Sequence, residues 1–228
     1  MSIDPELFLR ERPTDSEARS LAESVDYDAL IKVSAALRDQ GHGDLMSYSP
    51  KVFIPLTVLC RDVCHYCTFA RSPREVIRAY LSIDEVCEIA ELGKQAGCYE
   101  ALFTLGDKPE QRYRVAREEL KRLGCSSTVE YLLQASRVVF EQVGLLPHIN
   151  AGILSIDQMA ALREVSASQG IMLESTSERL CQKGGPHFGS PDKQPAVRLS
   201  NIEQAGMLAI PFTTGILIGI GESRAERI

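Results

Sequence analysis

Cys60, Cys64 and Cys67 form a Cys-x-x-x-Cys-x-x-Cys run in a stretch that reads as a loop. Three thiolates this close in sequence can hold three corners of a cubane iron–sulfur cluster and leave the fourth iron without a protein ligand. An open iron is chemically useful because a small molecule can chelate it. The competing reading is structural zinc, which takes four ligands, usually as two separated pairs. No second Cys-x-x-Cys occurs, and His65 lies between two of the cysteines, where ligation would strain the loop. The spacing therefore favours a [4Fe–4S] cluster. The other four of the seven cysteines are scattered, and Cys87 and Cys98 stand beside apolar residues, as small buried hydrophobes do.

The elements that must carry this loop follow a repeated local pattern. Ser82-Ile83-Asp84-Glu85 is a capping box, and Ile83, Val86, Cys87 and Ala90 recur at helical spacing before Gly97. An apolar strand, Ala101 to Leu105, comes next. The pattern returns at Ser127, with a helix to Gly144 and a strand from Leu145 to Asn150. It returns at Ser155, with a helix to Gly170 and a strand from Ile171 to Glu174. A shorter helix opens at Ser200, ends at Gly206 and precedes the apolar run Met207 to Ile220. Val52 to Val58 is the first strand, and Pro109 to Leu123 reads as one additional helix.

Strands alternating with helices imply a parallel sheet. No G-x-G-x-x-G follows the first strand, which weakens an open nucleotide-binding sheet. Special residues cluster just after successive strands: the cysteines, Gly106-Asp107, Asn150, Glu174-Ser175 and Gly219-Ile220-Gly221-Glu222. In βα barrels that rim carries the active site, so a barrel is the expected fold. His148 ends the third strand and could serve in proton transfer. Gln182 to Val197 has three prolines, three glycines and no apolar period. It is either a surface loop or a lid that brings His187, Asp192 and Lys193 to a substrate.

Composition sets the outer bounds. The 228 residues carry a net charge of −6 with the two signs interspersed, so no basic face for nucleic acid is expected. The longest apolar stretch is too short to span a bilayer. Asp4, Glu6 and Glu11 stand where a signal peptide would need a cationic start, so a cytoplasmic enzyme is expected. Residues 1–50 are polar and read as a helical extension, with 51–228 as the core.

With Tyr66 as its aromatic, the cysteine run resembles the signature of the radical S-adenosylmethionine superfamily. Phe103-Thr104-Leu105-Gly106-Asp107 is similar to an altered form of that superfamily's Gly-Gly-Glu motif, and Gly215-x-Leu217-x-Gly219-x-x-Glu222 to its fifth-strand motif. The resemblance implies that Tyr66, Gly106, Asp107, Glu174 and Glu222 contribute to binding S-adenosylmethionine. Cys60 to Ala70, Gly106 to Glu110, Gly185 to Lys193 and Pro211 to Gly215 further resemble the cyclising component of FO synthase.

That resemblance implies a partial (βα)6 TIM-like barrel in which five strands are present and the closing strand is missing, since the chain stops at Ile228. It implies a lyase of deazaflavin (coenzyme F-420) biosynthesis, with a [4Fe–4S] cluster and S-adenosylmethionine as cofactors. The substrate would be a hydroxybenzyl-ribityl-diaminouracil adduct, cyclised by way of a 5′-deoxyadenosyl radical with release of ammonia. Implied partners are the other radical half of FO synthase and an electron donor such as ferredoxin or flavodoxin. His148 and His187 are the candidates for catalytic proton handling. The alternatives are another radical enzyme, such as that partner half, and a non-catalytic iron–sulfur protein.

Overall fold

The computed structural model describes residues 12–23 and 26–228; the acidic positions 4, 6 and 11 lie outside them. The chain divides into two compact units, Ser49–Gly221 and a smaller one made of Met1–Tyr48 with Glu222–Ile228. In the smaller unit, Thr14 caps helix α1 (Asp15–Ser20) and Asp26 caps helix α2 (Tyr27–His42). Among the described residues, no helix is long and apolar enough to cross a membrane.

The larger unit is built on one parallel sheet in the order β1-β2-β3-β4-β5. Its strands are β1 (Lys51–Ile54), β2 (Glu100–Thr104), β3 (Leu146–Asn150), β4 (Ser168–Gly170) and β5 (Phe212–Thr213). Helix α3 (Ile83–Gln95) links β1 to β2, while α4 (Arg114–Arg122) and α5 (Thr128–Val138) link β2 to β3. Helix α6 (Ile156–Arg163) joins β3 to β4, α7 (Pro195–Met207) joins β4 to β5, and α8 (Arg224–Arg227) lies in the smaller unit. Fully buried Ile54, Leu56, Leu59, Phe103, Leu132, Ile149, Met159 and Leu162 lie in one core that holds the sheet to its helices. Burying each such side chain contributes roughly 1.5–3 kcal/mol relative to leaving it in water. The alternation of strand and helix and the barrel-like parallel sheet accord with the sequence reading.

Several element boundaries differ from that reading, the largest for local reasons. Strand β1 stops at Ile54, because Pro55 has no N–H to offer the ladder. The expected helix from Pro109 is a single turn, Pro109–Gln111, followed by a break at extended Tyr113 and then α4. Helix α6 ends at Arg163, and β4 occupies Ser168–Gly170 in place of the expected apolar strand Ile171 to Glu174. Its polar sequence hides it: Gln169 is buried because its side-chain amide donates to the Met159 carbonyl at 2.9 Å. Helix α7 starts at Pro195, ahead of Ser200, since proline at the first helical position loses no intrahelical hydrogen bond.

Candidate active site

The long segment between β1 and α3 folds back on its own base. Thr57 Oγ1 donates to the Ala79 carbonyl at 2.7 Å, the Arg71 amide to Val58 at 2.9 Å and the Leu81 amide to Leu56 at 3.0 Å. Buried Leu56 and Leu59 anchor this stem in the core. The end of β2 locks against it: the Gly106 amide donates to Thr57 at 3.0 Å and the Arg61 amide to Asp107 at 2.9 Å. A Cβ at Gly106 would overlap the Leu59 carbonyl, so only glycine permits this approach.

Cys60, Cys64 and Cys67 are free thiols lining one cavity of about 210 Å³. Tyr66, Gly106, Asp107 and Glu174 line it as well. Residues from the C-terminal ends of β1 to β4 meet there, as expected for the rim of a βα barrel. Each sulfur has a hydrogen-bond neighbour. The Asp107 amide lies 3.2 Å from Cys60, the Ala70 amide 3.4 Å from Cys67 and the Ser190 hydroxyl 3.5 Å from Cys64. Among the described residues, one set of three candidate ligand atoms lies within 4.8 Å of one another, and it is Asp62, Asp107 and Asp192. The thiols are thus spread wider than ligands of a single ion, while a cubane takes one thiolate per iron. The donor set fits a cluster better than zinc.

Burial pushes Cys60 up to about 12 and raises Cys64, so both are protonated thiols at neutral pH in the metal-free chain. Metal loading must therefore release protons. Burial also lifts Asp107 to about 6, against the pull of Lys108. The crowded carboxylates are compensated by the protein itself. Asp192 takes two N–H groups of Arg61, and Asp107 takes Lys108 Nζ and the Ile153 amide at 3.2 and 3.1 Å.

Glu174 sits at φ 65, in the left-handed region that non-glycine residues rarely adopt. A parallel bridge to Ile216 holds it there, and its carboxylate meets Lys193 Nζ at 2.6 Å. Lys193 in turn lies 6.0 Å from the centre of the Tyr66 ring. Segment 182–194 is an ordered strap laid on the cysteine loop. His187 Nε2 meets the Tyr66 hydroxyl at 2.9 Å, and burial lowers His187 to about 4, which leaves it neutral.

Two expected residues are not among those lining the cavity. His148 is absent from the cavity lining; it pairs in register with Leu102 and Ser168 on the sheet, and its Nδ1 meets Ser168 Oγ at 2.6 Å. Glu222 belongs to the smaller unit, where Arg227 Nε lies 2.9 Å from its carboxylate. Arg198 and Ser190 escaped the sequence reading. Arg198 looks like a solvated charge on α7, yet it is 4% exposed, lines the cavity and donates to the Asp192 carbonyl at 2.8 Å. Nothing local marks Arg198, and the family-like stretch around Ser190 does not show its role, because their partners on the cysteine loop and strap are set by tertiary packing.

No family model matches the chain. It is similar to 7,8-didemethyl-8-hydroxy-5-deazariboflavin synthase of Methanopyrus kandleri, 54% identical over 184 residues, covering 81% of this chain and 55% of that protein. It is similar to FO synthase of Mycobacterium tuberculosis H37Rv, 51% identical over 230 residues, covering 93% of this chain and 27% of that protein. Two solved structures share the fold at 21% identity. The FeFe-hydrogenase maturase HydG of Carboxydothermus hydrogenoformans has a TM-score of 0.73 and covers 97% of this chain and 48% of its own. Methylornithine synthase PylB has a TM-score of 0.70 and covers 99% and 61%. The chain spans about half the length of the first curated relative and about a quarter of the second. Over most of its length, about half of this chain's positions are identical to those of a segment of each of these two relatives.

Proposed function

We propose that this chain is the cluster-bearing part of a radical S-adenosylmethionine lyase that makes the deazaflavin FO. Its substrate is a hydroxybenzyl-ribityl-diaminouracil adduct, cyclised with release of ammonia. The observation that carries the reading is the meeting of Cys60, Cys64, Cys67, Tyr66, Gly106, Asp107 and Glu174 around one cavity, in a chain half identical to FO synthases.

Cys60, Cys64 and Cys67 would hold the cluster. When bound, the cluster and S-adenosylmethionine would supply radical chemistry for hydrogen abstraction. The protein's task is to position and to shield. Gly106 lets the β2 turn lie close beside the cysteine loop, where its backbone would be available to a bound cofactor. Glu174 and Lys193 present a charge pair for polar groups of cofactor or substrate. Neutral His187 fixes the Tyr66 hydroxyl over the cavity wall. Glu222 remains the proposed contact from the fifth-strand motif, and a one-electron carrier such as ferredoxin or flavodoxin is the proposed reductant.

The test is anaerobic reconstitution of the chain followed by iron analysis and electron paramagnetic resonance. About four irons per chain are expected, with a spectrum that changes when S-adenosylmethionine is added. The product test adds the adduct, a reductant and S-adenosylmethionine and follows the fluorescent deazaflavin, with little or none expected from these 228 residues alone. Stoichiometric zinc without iron–sulfur absorbance would sink the cluster assignment, and a spectrum indifferent to saturating S-adenosylmethionine would sink the open iron.

A further inference from the structure

The strap and the cysteine loop are paired almost residue by residue. Arg61 meets the Asp192 carboxylate, and Asp62 accepts the Asp192 amide at 3.4 Å. The Val63 amide donates to Ser190 Oγ at 3.0 Å, the His65 amide to the Pro186 carbonyl at 2.9 Å, and the Tyr66 hydroxyl meets His187. Ser190 sits in the middle of this seam at 2% exposure. Its own backbone is pinned on both sides, its amide donating to His187 and its carbonyl accepting from Lys193. The preceding Gly189, at φ 82, packs so close that an added Cβ would stand 2.9 Å from Val63 Cγ2.

We propose that Ser190 is a positioning residue for Cys64, holding its loop and donating a hydrogen bond to its sulfur. A serine hydroxyl has one proton to give and lone pairs to receive. The Val63 amide occupies a lone pair, so the proton is free for Cys64 Sγ, 3.5 Å away. Of the hydrogen-bond neighbours of the three thiols, those of Cys60 and Cys67 are backbone amides. The neighbour of Cys64 is a side chain, reached across 126 residues of sequence, and it alone can be deleted by substitution.

This inference rests on the cluster reading of the three thiols. A donor on a ligating sulfur stabilises the more negative, reduced state, and hydrogen bonds to the sulfurs are one of the levers that set cluster potential. Ser190 therefore raises the reduction potential and makes the electron easier to deliver.

The experiment compares wild type, Ser190→Ala and Ser190→Thr, each reconstituted anaerobically. Iron content and cluster midpoint potential are measured, with amide exchange at Val63 followed in the metal-free protein. Equal iron in all three, a more negative potential in Ser190→Ala and recovery in Ser190→Thr are the expected results. Val63 exchange should be about fivefold faster in Ser190→Ala alone, the net worth of one hydrogen bond. An unchanged potential in fully loaded Ser190→Ala overturns the proposal, as does an equal shift in both variants, which would assign the effect to packing. Should Ser190→Ala lose iron, Val63 exchange decides: acceleration reversed by threonine supports the positioning role, and no acceleration overturns it. A wild-type chain that takes up no cluster defeats the proposed function and the hydrogen bond to a ligating sulfur, while Val63 exchange still judges the hold on the loop.

Discussion

Lys193 Nζ lies 2.6 Å from the Glu174 carboxylate, joining the strap to the left-handed residue that follows β4. Both side chains are nearly buried, at 13% and 11% exposure. Removing one partner of such a pair strands the other charge away from water. Lys193→Ala is expected to cost roughly 3 kcal/mol in urea unfolding. The double variant Lys193→Met with Glu174→Gln should cost less than Lys193→Ala alone. If the single substitution is silent, the pair is solvated in solution and does not hold the strap.

Gly106 and Gly206 make a matched comparison. A methyl group at 106 overlaps the Leu59 carbonyl at the base of the cysteine loop, whereas one at 206 on α7 meets nothing within 4 Å. Gly106→Ala should therefore lower stability and iron uptake together. Gly206→Ala should stabilise by about 0.5–1 kcal/mol through helix propensity and leave iron uptake unchanged. Thermal melts and iron assays on the two proteins check both halves.

The cysteine assignment separates by substitution. Cys64→Ala should remove the iron–sulfur absorbance, while Cys98→Ala, outside the cavity lining, should retain it. Equal loss from both would mean that other thiols carry the cluster.

His187 sets an acid limit on stability. Burial lowers it from 6.5 to about 4, so between those values the unfolded chain takes up a proton that the folded chain refuses. Its contribution is present above pH 6.5, falls as pH drops and is gone below about 4. The shift corresponds to roughly 3 kcal/mol. Urea midpoints at pH 7.5 and 4.5 should differ more for wild type than for His187→Gln, which has no titrating group there. An identical pH slope in the two proteins would show that His187 is charged or exposed in the folded state.

The helix starts at Ser82, Ser127 and Ser155 were legible because they are local. The Ser82–Glu85 and Ser155–Gln158 capping boxes form between residues three apart, and both close as their spacing requires. Ser127 shows the limit of that rule: its hydroxyl accepts the Glu130 amide, but the Glu130 carboxylate turns to Ser126. Strand β4 was illegible because hydrophobic period cannot find Ser168-Gln169-Gly170, whose burial depends on a hydrogen bond to a helix ten residues back.

For the site, the spacing of Cys60, Cys64 and Cys67 was sufficient to nominate three ligands on one loop, since thiolate chemistry and short spacing are both written in the chain. Tertiary structure decided which groups surround them. It brought in Ser190, Asp192 and Arg198 from the strap and α7, and it gave His148 a partner on the sheet instead of a place at the cavity. Those contacts depend on where β4 ends and how the following segment folds back across the rim. No periodicity records them, because a hydrogen bond spanning more than a hundred residues is set by the packing of the whole sheet.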